Sequence, residues 1–282
     1  MEFARPSSLA DALALMAEAP DTIPLAGGTD LLVAMNSGRL RPRRMIAIDR
    51  LAELSEVAVG ERVRLGAAVT YSRITADTGG SRALAEAARA VGSPQIRNAG
   101  TIGGNLGTSS PAGETLPVLF ALGASVHLRS RNAERYLPID RFVIGTKRNA
   151  RRPDELIVAV EWDDSGPAQA FVKVGARSAM VIAIASVAVV IDRVRRVARI
   201  AVGSCGPTVM RAARAEAFAS GLLDESGWER PLVPSDAACR AFGDLVAAAT
   251  RPIDDVRATA AYRGQVVSVI ADRALARAAA LA

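Results

Sequence analysis

Hydrophobic positions at the start of the chain repeat with helical spacing. Leu9, Leu13 and Met16 fall on one face, and Ser8 with Asp11 forms an S-x-x-D capping box in front of them. Pro20 ends the pattern. Residues 1–20 are therefore predicted to form an amphipathic helix. Because the segment carries acidic residues, we do not expect a signal peptide.

Further along, short apolar runs alternate with helical patterns. The segment IPLAGG predicts a strand that breaks into a glycine turn, and the alternation from residue 56 predicts a hairpin around Gly60. The other predicted strands are RMIAID (44–49), SVHLRS, LIVAVEW, AFVKVGAR, SVAVVIDR and ARIAVGS, and the predicted helices are 81–91, LPVLFALGA, 208–221, 235–249 and 258–280, with a loop over 101–117. We interpret this order as three α+β units, residues 1–55, 56–174 and 175–282.

Composition narrows the possible functions. Half of the 282 residues are hydrophobic but only 4% are aromatic, which does not favour a platform for stacking bases. The net charge of +6 comes from 35 basic and 29 acidic residues interleaved along the chain, so we expect no nucleic-acid partner. The arginine runs at 39–44 and 193–199 are more typical of solvated faces than of phosphate sites. Lys147 and Lys173 are the only lysines, and a lysine retained in an arginine-rich chain suggests a functional reason.

The sequence offers no metal-binding pattern. Cys205 and Cys239 are isolated and His127 is the only histidine, so no iron–sulfur or zinc site is expected in this chain. We interpret His127 as a strand residue and Cys205 as structural. The longest apolar run, residues 181–191, is shorter than the roughly 20 residues of a membrane span, which predicts a cytoplasmic protein.

Two glycine-rich segments carry the main functional pattern: LAGGTDLL at 25–32 and TIGGNLGTSSPAGETLP at 101–117. Glycine pairs let backbone amides approach a ligand and point inward as an anion nest, and two such segments suit a pyrophosphate. We expect Asp30 to accept hydrogen bonds from its own turn or to cap the following helix. The alternative is that each pair marks a tight structural turn. The chain has no dinucleotide-binding G-x-G-x-x-G after a strand and no P-loop motif.

These two segments, together with RPDELI, FVKVGAR and DDVRATAAYRGQVV, resemble the FAD-binding medium subunit of molybdenum hydroxylases. That family includes carbon monoxide, xanthine and nicotine dehydrogenases. The resemblance covers residues 3–280 and implies an α+β fold of the vanillyl-alcohol-oxidase type. In that fold two α+β subdomains bind FAD, and a small C-terminal α+β domain follows.

The resemblance also implies the site residues. It places the pyrophosphate against two segments, and Glu114, where the family usually has Asp, at a sugar hydroxyl of FAD. It places Ile157 beside the flavin or adenine, and Lys173 near the pyrimidine side of the isoalloxazine, where a cation stabilises the reduced ring. The pyrophosphate residues are Leu25, Ala26, Gly27, Gly28, Thr29, Asp30 and Leu31 in the first segment, and Thr101, Gly103, Gly104 and Asn105 in the second. Val181 stands where many relatives carry an acid, so the flavin potential and the electron acceptor cannot be transferred from them.

The resemblance implies an electron-transfer flavoprotein subunit. A large subunit with the molybdenum cofactor would oxidise the substrate, a small iron–sulfur subunit would relay electrons, and this chain's FAD would pass them to the terminal acceptor, in a dimer of heterotrimers. The chain carries no catalytic acid–base pair of its own, which agrees with this division. The alternatives are a self-sufficient flavin oxidase of the same fold and a flavin-free scaffold, against which the glycine segments argue. Expected docking surfaces are the flavin mouth and the apolar stripe Val266, Val267, Val269 and Ile270, although such a stripe is more often core.

Overall fold

The N-terminal unit is built on a small parallel sheet. The computed structural model describes residues 1–76 and 80–281. Strands β1 (Glu2–Ala4) and β2 (Ile23–Leu25) flank β3 (Arg44–Ala47), and all three are parallel. Helices α1 (Leu9–Glu18) and α2 (Leu31–Asn36) make the crossovers that parallel strands require, and a 3₁₀ turn (Ala52–Leu54) follows.

The capping box at the start of α1 is confirmed. The Asp11 N–H donates to the Ser8 hydroxyl over 3.1 Å, and Leu9, Leu13 and Met16 are buried. Residues 2–4 are a strand, however, and not part of the predicted helix. Their backbone groups pair with β3, and this long-range pairing determines the conformation of a segment too short to form a helix alone.

The second unit is a five-stranded antiparallel sheet with helices packed on one face. The strands of this unit are β4 (Val57–Ala58), β5 (Arg62–Gly66), β6 (Ser125–Arg129), β7 (Glu134–Pro138), β8 (Val143–Gly145), β9 (Arg148–Asn149) and β10 (Leu156–Asp163). The sheet has the order β4, β5, β10, β6, β7, and the predicted hairpin around Gly60 is confirmed as the β4–β5 pair. A two-stranded hairpin, β8–β9, projects from this unit. Its helices are α3 (Tyr71–Ala76), α4 (Arg82–Arg89), α5 (Pro94–Ala99), α6 (Ile102–Thr108), α7 (Thr115–Leu122) and α8 (Ile139–Phe142).

The prediction of a loop over 101–117 is wrong for its first half, which forms α6. Thr101 is the N-cap, and its hydroxyl accepts a hydrogen bond from the Gly104 N–H. Ile102 and Leu106, spaced by four residues, are completely buried in the core of the second unit. Burial of this narrow apolar face outweighs the low helix propensity of the glycines.

The C-terminal unit is a four-stranded antiparallel sheet covered by three helices. Its strands are β11 (Gln169–Val174), β12 (Ala185–Asp192), β13 (Val197–Gly203) and β14 (Met210–Arg211), and its helices are α9 (Ala213–Ser226), α10 (Asp236–Ala248) and α11 (Ala260–Ala279). β11 pairs along its whole length with β12, so it belongs to this sheet, although the predicted boundary left residues up to 174 in the second unit. The helix predicted from residue 208 begins only at Ala213, because Met210 pairs with Val202 as β14.

The apolar stripe of the last helix is mainly core. Val267 and Ile270 are buried in the C-terminal core, whereas Val269 is exposed. The same helix buries Arg263, whose guanidinium donates to the carbonyl oxygens of Ile184 and Ser204 and pairs with Asp255. The stripe is therefore used for packing and offers little surface for docking. None of the helices in the described ranges is long and apolar enough to span a bilayer.

Candidate functional site

A cavity of about 540 Å³ lies where the two glycine segments meet. Its volume is within the range of small-molecule and cofactor sites. Of the predicted site residues it is lined by Leu25, Ala26, Gly27, Gly28, Thr29, Asp30, Leu31, Thr101, Gly103, Gly104, Asn105 and Ile157. Glu114 and Lys173 are not among its lining residues. Segments that are 70 residues apart in the chain thus form one site, as two halves of a pyrophosphate-binding region should.

The first glycine segment is shaped by close packing. A Cβ on Gly27 would lie 1.7 Å from the carbonyl oxygen of Ala99, and Gly28 has a φ of +70°, which strains any other residue. Asp30 does not use its side chain to cap α2, contrary to expectation. Its carboxylate instead accepts a hydrogen bond from the Thr108 hydroxyl over 3.1 Å, which ties the first segment to the end of α6.

The amides of the second segment are less available than the sequence suggested. The Gly103 N–H donates to the Ala67 carbonyl over 2.9 Å, and the Gly104 N–H donates to the Thr101 hydroxyl over 3.0 Å. The side-chain oxygen of Asn105 accepts from the Thr115 hydroxyl over 2.5 Å. Gly103 therefore permits a close approach to Ala67 and is not a free donor. A Cβ on Gly104 would meet only the Thr101 hydroxyl, at 3.2 Å.

Glu114 and Lys173 pair with each other. The Lys173 Nζ lies 2.7 Å from a Glu114 carboxylate oxygen, and it also donates to the carbonyl oxygens of Ala90 and Val181. Both side chains are nearly buried. Burial raises the pKa of Glu114 and the Lys173 ammonium opposes that rise. The predicted contacts of Glu114 with a sugar hydroxyl and of Lys173 with the isoalloxazine stay predictions.

Tyr71, at the start of α3, is a cavity residue that the sequence did not reveal. The residue is only 5% exposed, it lines the cavity, and its hydroxyl has no hydrogen-bond partner within residues 1–76 and 80–281. Burial, with the nearby carboxylates of Glu114 and Asp30, raises its pKa, so the phenol stays neutral and can donate. A donor of this kind is suited to an acceptor atom on a bound ligand.

Three basic side chains, from Arg39, Lys147 and Arg151, also line the cavity. Arg39 follows α2, Lys147 lies at the turn between β8 and β9, and Arg151 follows β9. The arginine run that contains Arg39 was interpreted as a solvated face. The only sequence signal for Lys147 was that lysine is rare in this chain.

His127 and the cysteines lie outside this cavity. His127 is in β6, stacked on Tyr136, and its ring nitrogens contact Arg64 and Glu134. Burial lowers its pKa. Cys205 is buried, and burial raises its pKa to about 11. Across the described ranges no group of three or more His, Cys, Asp or Glu side chains is arranged to hold a metal ion.

Comparison with known families and proteins agrees with this geometry. Residues 1–162 match the FAD binding domain in molybdopterin dehydrogenase, and residues 170–278 match the CO dehydrogenase flavoprotein C-terminal domain. The chain therefore belongs to the FAD-binding subunits of the molybdopterin dehydrogenases, a family of oxidoreductases. This confirms the resemblance identified in the sequence and the assignment of FAD as cofactor.

Individual relatives extend the match over the full chain. The nicotine 6-hydroxylase medium subunit of Paenarthrobacter nicotinovorans is 31% identical, covering 99% of this chain and 98% of that protein. The nicotinate dehydrogenase FAD-subunit of Eubacterium barkeri is 38% identical over 65% of this chain, but the match spans 66% of that protein, just under two thirds. The structure of reconstituted CO dehydrogenase from Oligotropha carboxidovorans superposes with a TM-score of 0.88 at 26% identity, over 100% of this chain and 98% of that one. The predicted α+β FAD-binding fold is thereby confirmed.

Proposed function

We propose that this protein is the electron-transfer flavoprotein subunit of a multi-subunit molybdenum hydroxylase. The observation that carries the proposal is a cavity lined by residues 25–31 of the first glycine segment and by Thr101, Gly103, Gly104 and Asn105 of the second. The site fits FAD on three counts. Gly104 leaves room for a ligand close to the backbone, Tyr71 brings to the cavity a hydroxyl with no partner in the described ranges, and Ile157 lines the cavity with an apolar side chain.

The chain's own residues bind and orient the cofactor. Bound FAD supplies the capacity to accept electrons in pairs and release them to an acceptor. The two glycine segments hold its phosphate region, with Asp30 and Thr108 fixing one segment against the other. The Lys173–Glu114 pair stabilises the junction between α4, α7 and the C-terminal sheet beside the site.

The partners follow from what the described chain does not provide. Its titratable groups form no metal site within the described ranges, and the cavity lining holds no nucleophile–base pair, which supports assigning substrate oxidation to another subunit. We propose a large subunit with the molybdenum cofactor and a small iron–sulfur subunit, assembled as a dimer of heterotrimers in the cytoplasm. Nicotine 6-hydroxylase and CO dehydrogenase, to which relatives of this chain belong by name, support the multi-subunit arrangement.

The test is purification of the chain alone and with co-expressed partners. Alone, it should carry about one FAD released by acid, and it should pass electrons from a chemical reductant to an artificial acceptor without oxidising any organic substrate. Copurified subunits should contain molybdenum and iron. Steady substrate turnover by the single chain would instead establish a self-sufficient flavin oxidase, and a flavin-free preparation that cannot be loaded with FAD would establish a scaffold.

A further inference from the structure

The backbone donors of the second glycine segment are already engaged within the protein. The Gly103 amide is used by Ala67, and the Gly104 amide is used by the Thr101 hydroxyl. Both bonds are internal to the fold and help to start α6. With these amides engaged, cationic side chains in the cavity lining are suited to balance a ligand with two negative charges.

The cavity lining provides that charge. It contains three cationic side chains, Arg39, Lys147 and Arg151, against one carboxylate, Asp30. None of the three cations forms an ion pair with a carboxylate of the described ranges. The guanidinium of Arg151 donates a hydrogen bond to the Glu155 carbonyl, and that of Arg39 donates one to the Ser37 hydroxyl. The excess of two positive charges matches the two negative charges of a pyrophosphate.

Lys147 is the cation whose position is most specifically built. Its backbone N–H donates to the Ser109 carbonyl just after α6, over 3.1 Å. On either side of it, the Asn149 amide donates to the Gly107 carbonyl over 2.9 Å and the Thr146 hydroxyl donates to the Pro207 carbonyl over 2.6 Å. The β8–β9 hairpin is thus fastened both to the glycine helix and to the C-terminal unit.

The backbone of Lys147 is also strained. Its φ is +55°, in the left-handed region where a side chain costs about 1–2 kcal/mol relative to the ordinary helical region. Glycine would remove that strain, yet the position holds one of only two lysines in the chain. Strain retained at the edge of a cavity is typical of residues that serve a ligand.

We propose that Lys147, with Arg39 and Arg151, neutralises the pyrophosphate of the bound dinucleotide, so that phosphate binding here depends on side-chain charge as well as on glycine amides. This inference rests on the proposed FAD site. It predicts that affinity requires the pyrophosphate and weakens as salt screens the cations.

The experiment compares charge variants of the deflavinated protein. Lys147→Met removes the charge and keeps the side-chain length and the strained backbone, and Lys147→Arg keeps the charge. Arg148→Met is the matched control, because Arg148 is an exposed neighbour on the same hairpin outside the cavity lining. FAD affinity is measured by quenching of flavin fluorescence at low and high salt. The affinities of ADP and adenosine, which differ only in the pyrophosphate, are measured by calorimetry.

Lys147→Met should weaken FAD and ADP binding roughly tenfold, as expected for the loss of one charge-assisted contact, and should leave adenosine binding unchanged. Its FAD affinity should respond less to salt than that of the wild type. Lys147→Arg and Arg148→Met should bind as the wild type does. Lys147→Gly should weaken FAD equally while its melting temperature stays the same or rises, an outcome that misfolding would not produce.

If Lys147→Met binds FAD and ADP as tightly as Arg148→Met does, this inference is overturned and the FAD site stands. Failure of the wild-type protein to bind FAD at all would overturn the proposed function itself. A uniform loss of adenosine, ADP and FAD binding in Lys147→Met would show that the lysine shapes the hairpin and does not neutralise the phosphates.

Discussion

Replacing Lys173 with Met should destabilise the protein strongly. The ammonium group makes three contacts: 2.7 Å to Glu114, 2.8 Å to the Val181 carbonyl and 3.0 Å to the Ala90 carbonyl. These partners belong to the start of α7, the segment after β11 and the end of α4. Met has a similar length but cannot donate, so all three acceptors lose this donor.

The size of the effect follows from burial. The Lys173 and Glu114 side chains are only 11% and 12% exposed. Removing one partner of a buried ion pair costs about 3–5 kcal/mol, and the residual exposure favours the lower end of that range. At about 2–4 °C for each kcal/mol in a protein of this size, the melting temperature should fall by roughly 6–12 °C.

The deficit should also depend on pH. Burial already raises the pKa of Glu114 above its ordinary 4.5, and loss of the ammonium removes the group that opposes this rise. An acid with a raised pKa binds more protons in the folded state than in the unfolded state, so stability falls as pH increases above 4.5 towards the folded pKa. The melting temperature of Lys173→Met should therefore approach that of the wild type in acid and diverge from it towards neutral pH.

The assay is thermal unfolding of the apo proteins, followed by circular dichroism across this pH range. The double variant Lys173→Met/Glu114→Gln removes the charge left unpaired, so it should recover part of the loss and show no added pH dependence. A melting temperature for Lys173→Met within about 2 °C of the wild type at neutral pH would refute the reasoning. So would a deficit that does not change with pH.

Three further substitutions test the cavity. Gly104→Ala adds a Cβ that meets only one hydroxyl, at 3.2 Å, so the apo protein should keep its melting temperature. Its FAD affinity should fall about tenfold or more. Gly264→Ala, in a helix with open space around it, is the matched control and should keep full FAD affinity. Gly103→Ala would place its Cβ 2.6 Å from a backbone carbonyl oxygen, so a lower melting temperature is expected even without flavin. Tyr71→Phe removes the hydroxyl of a cavity residue, and that hydroxyl has no partner in the described ranges. The free energy of FAD binding should therefore weaken by about 1 kcal/mol with no loss of apo stability, and unchanged affinity would show that the hydroxyl does not reach the ligand.

Features that depend on neighbouring residues were predictable from the sequence. The Ser8 cap, the alternation of β5 and the apolar run of β12 each depend on contacts within a few positions or on burial of one whole strand. The two glycine pairs were likewise recognisable in the sequence, although Gly27 and Gly103 are required by close approach to the distant residues Ala99 and Ala67. Together with RPDELI, FVKVGAR and DDVRATAAYRGQVV, they identified the family and its cofactor.

The tertiary structure decided which groups surround the cofactor. Helix α6 forms because Ile102 and Leu106 are buried against distant strands, and its first turn engages the Gly103 and Gly104 amides that the sequence offered to the phosphates. Lys147 reaches the cavity through hydrogen bonds of its hairpin to residues about 40 positions earlier and 60 later. The local sequence does not encode such contacts, because their free energy comes from segments that meet only when the chain folds.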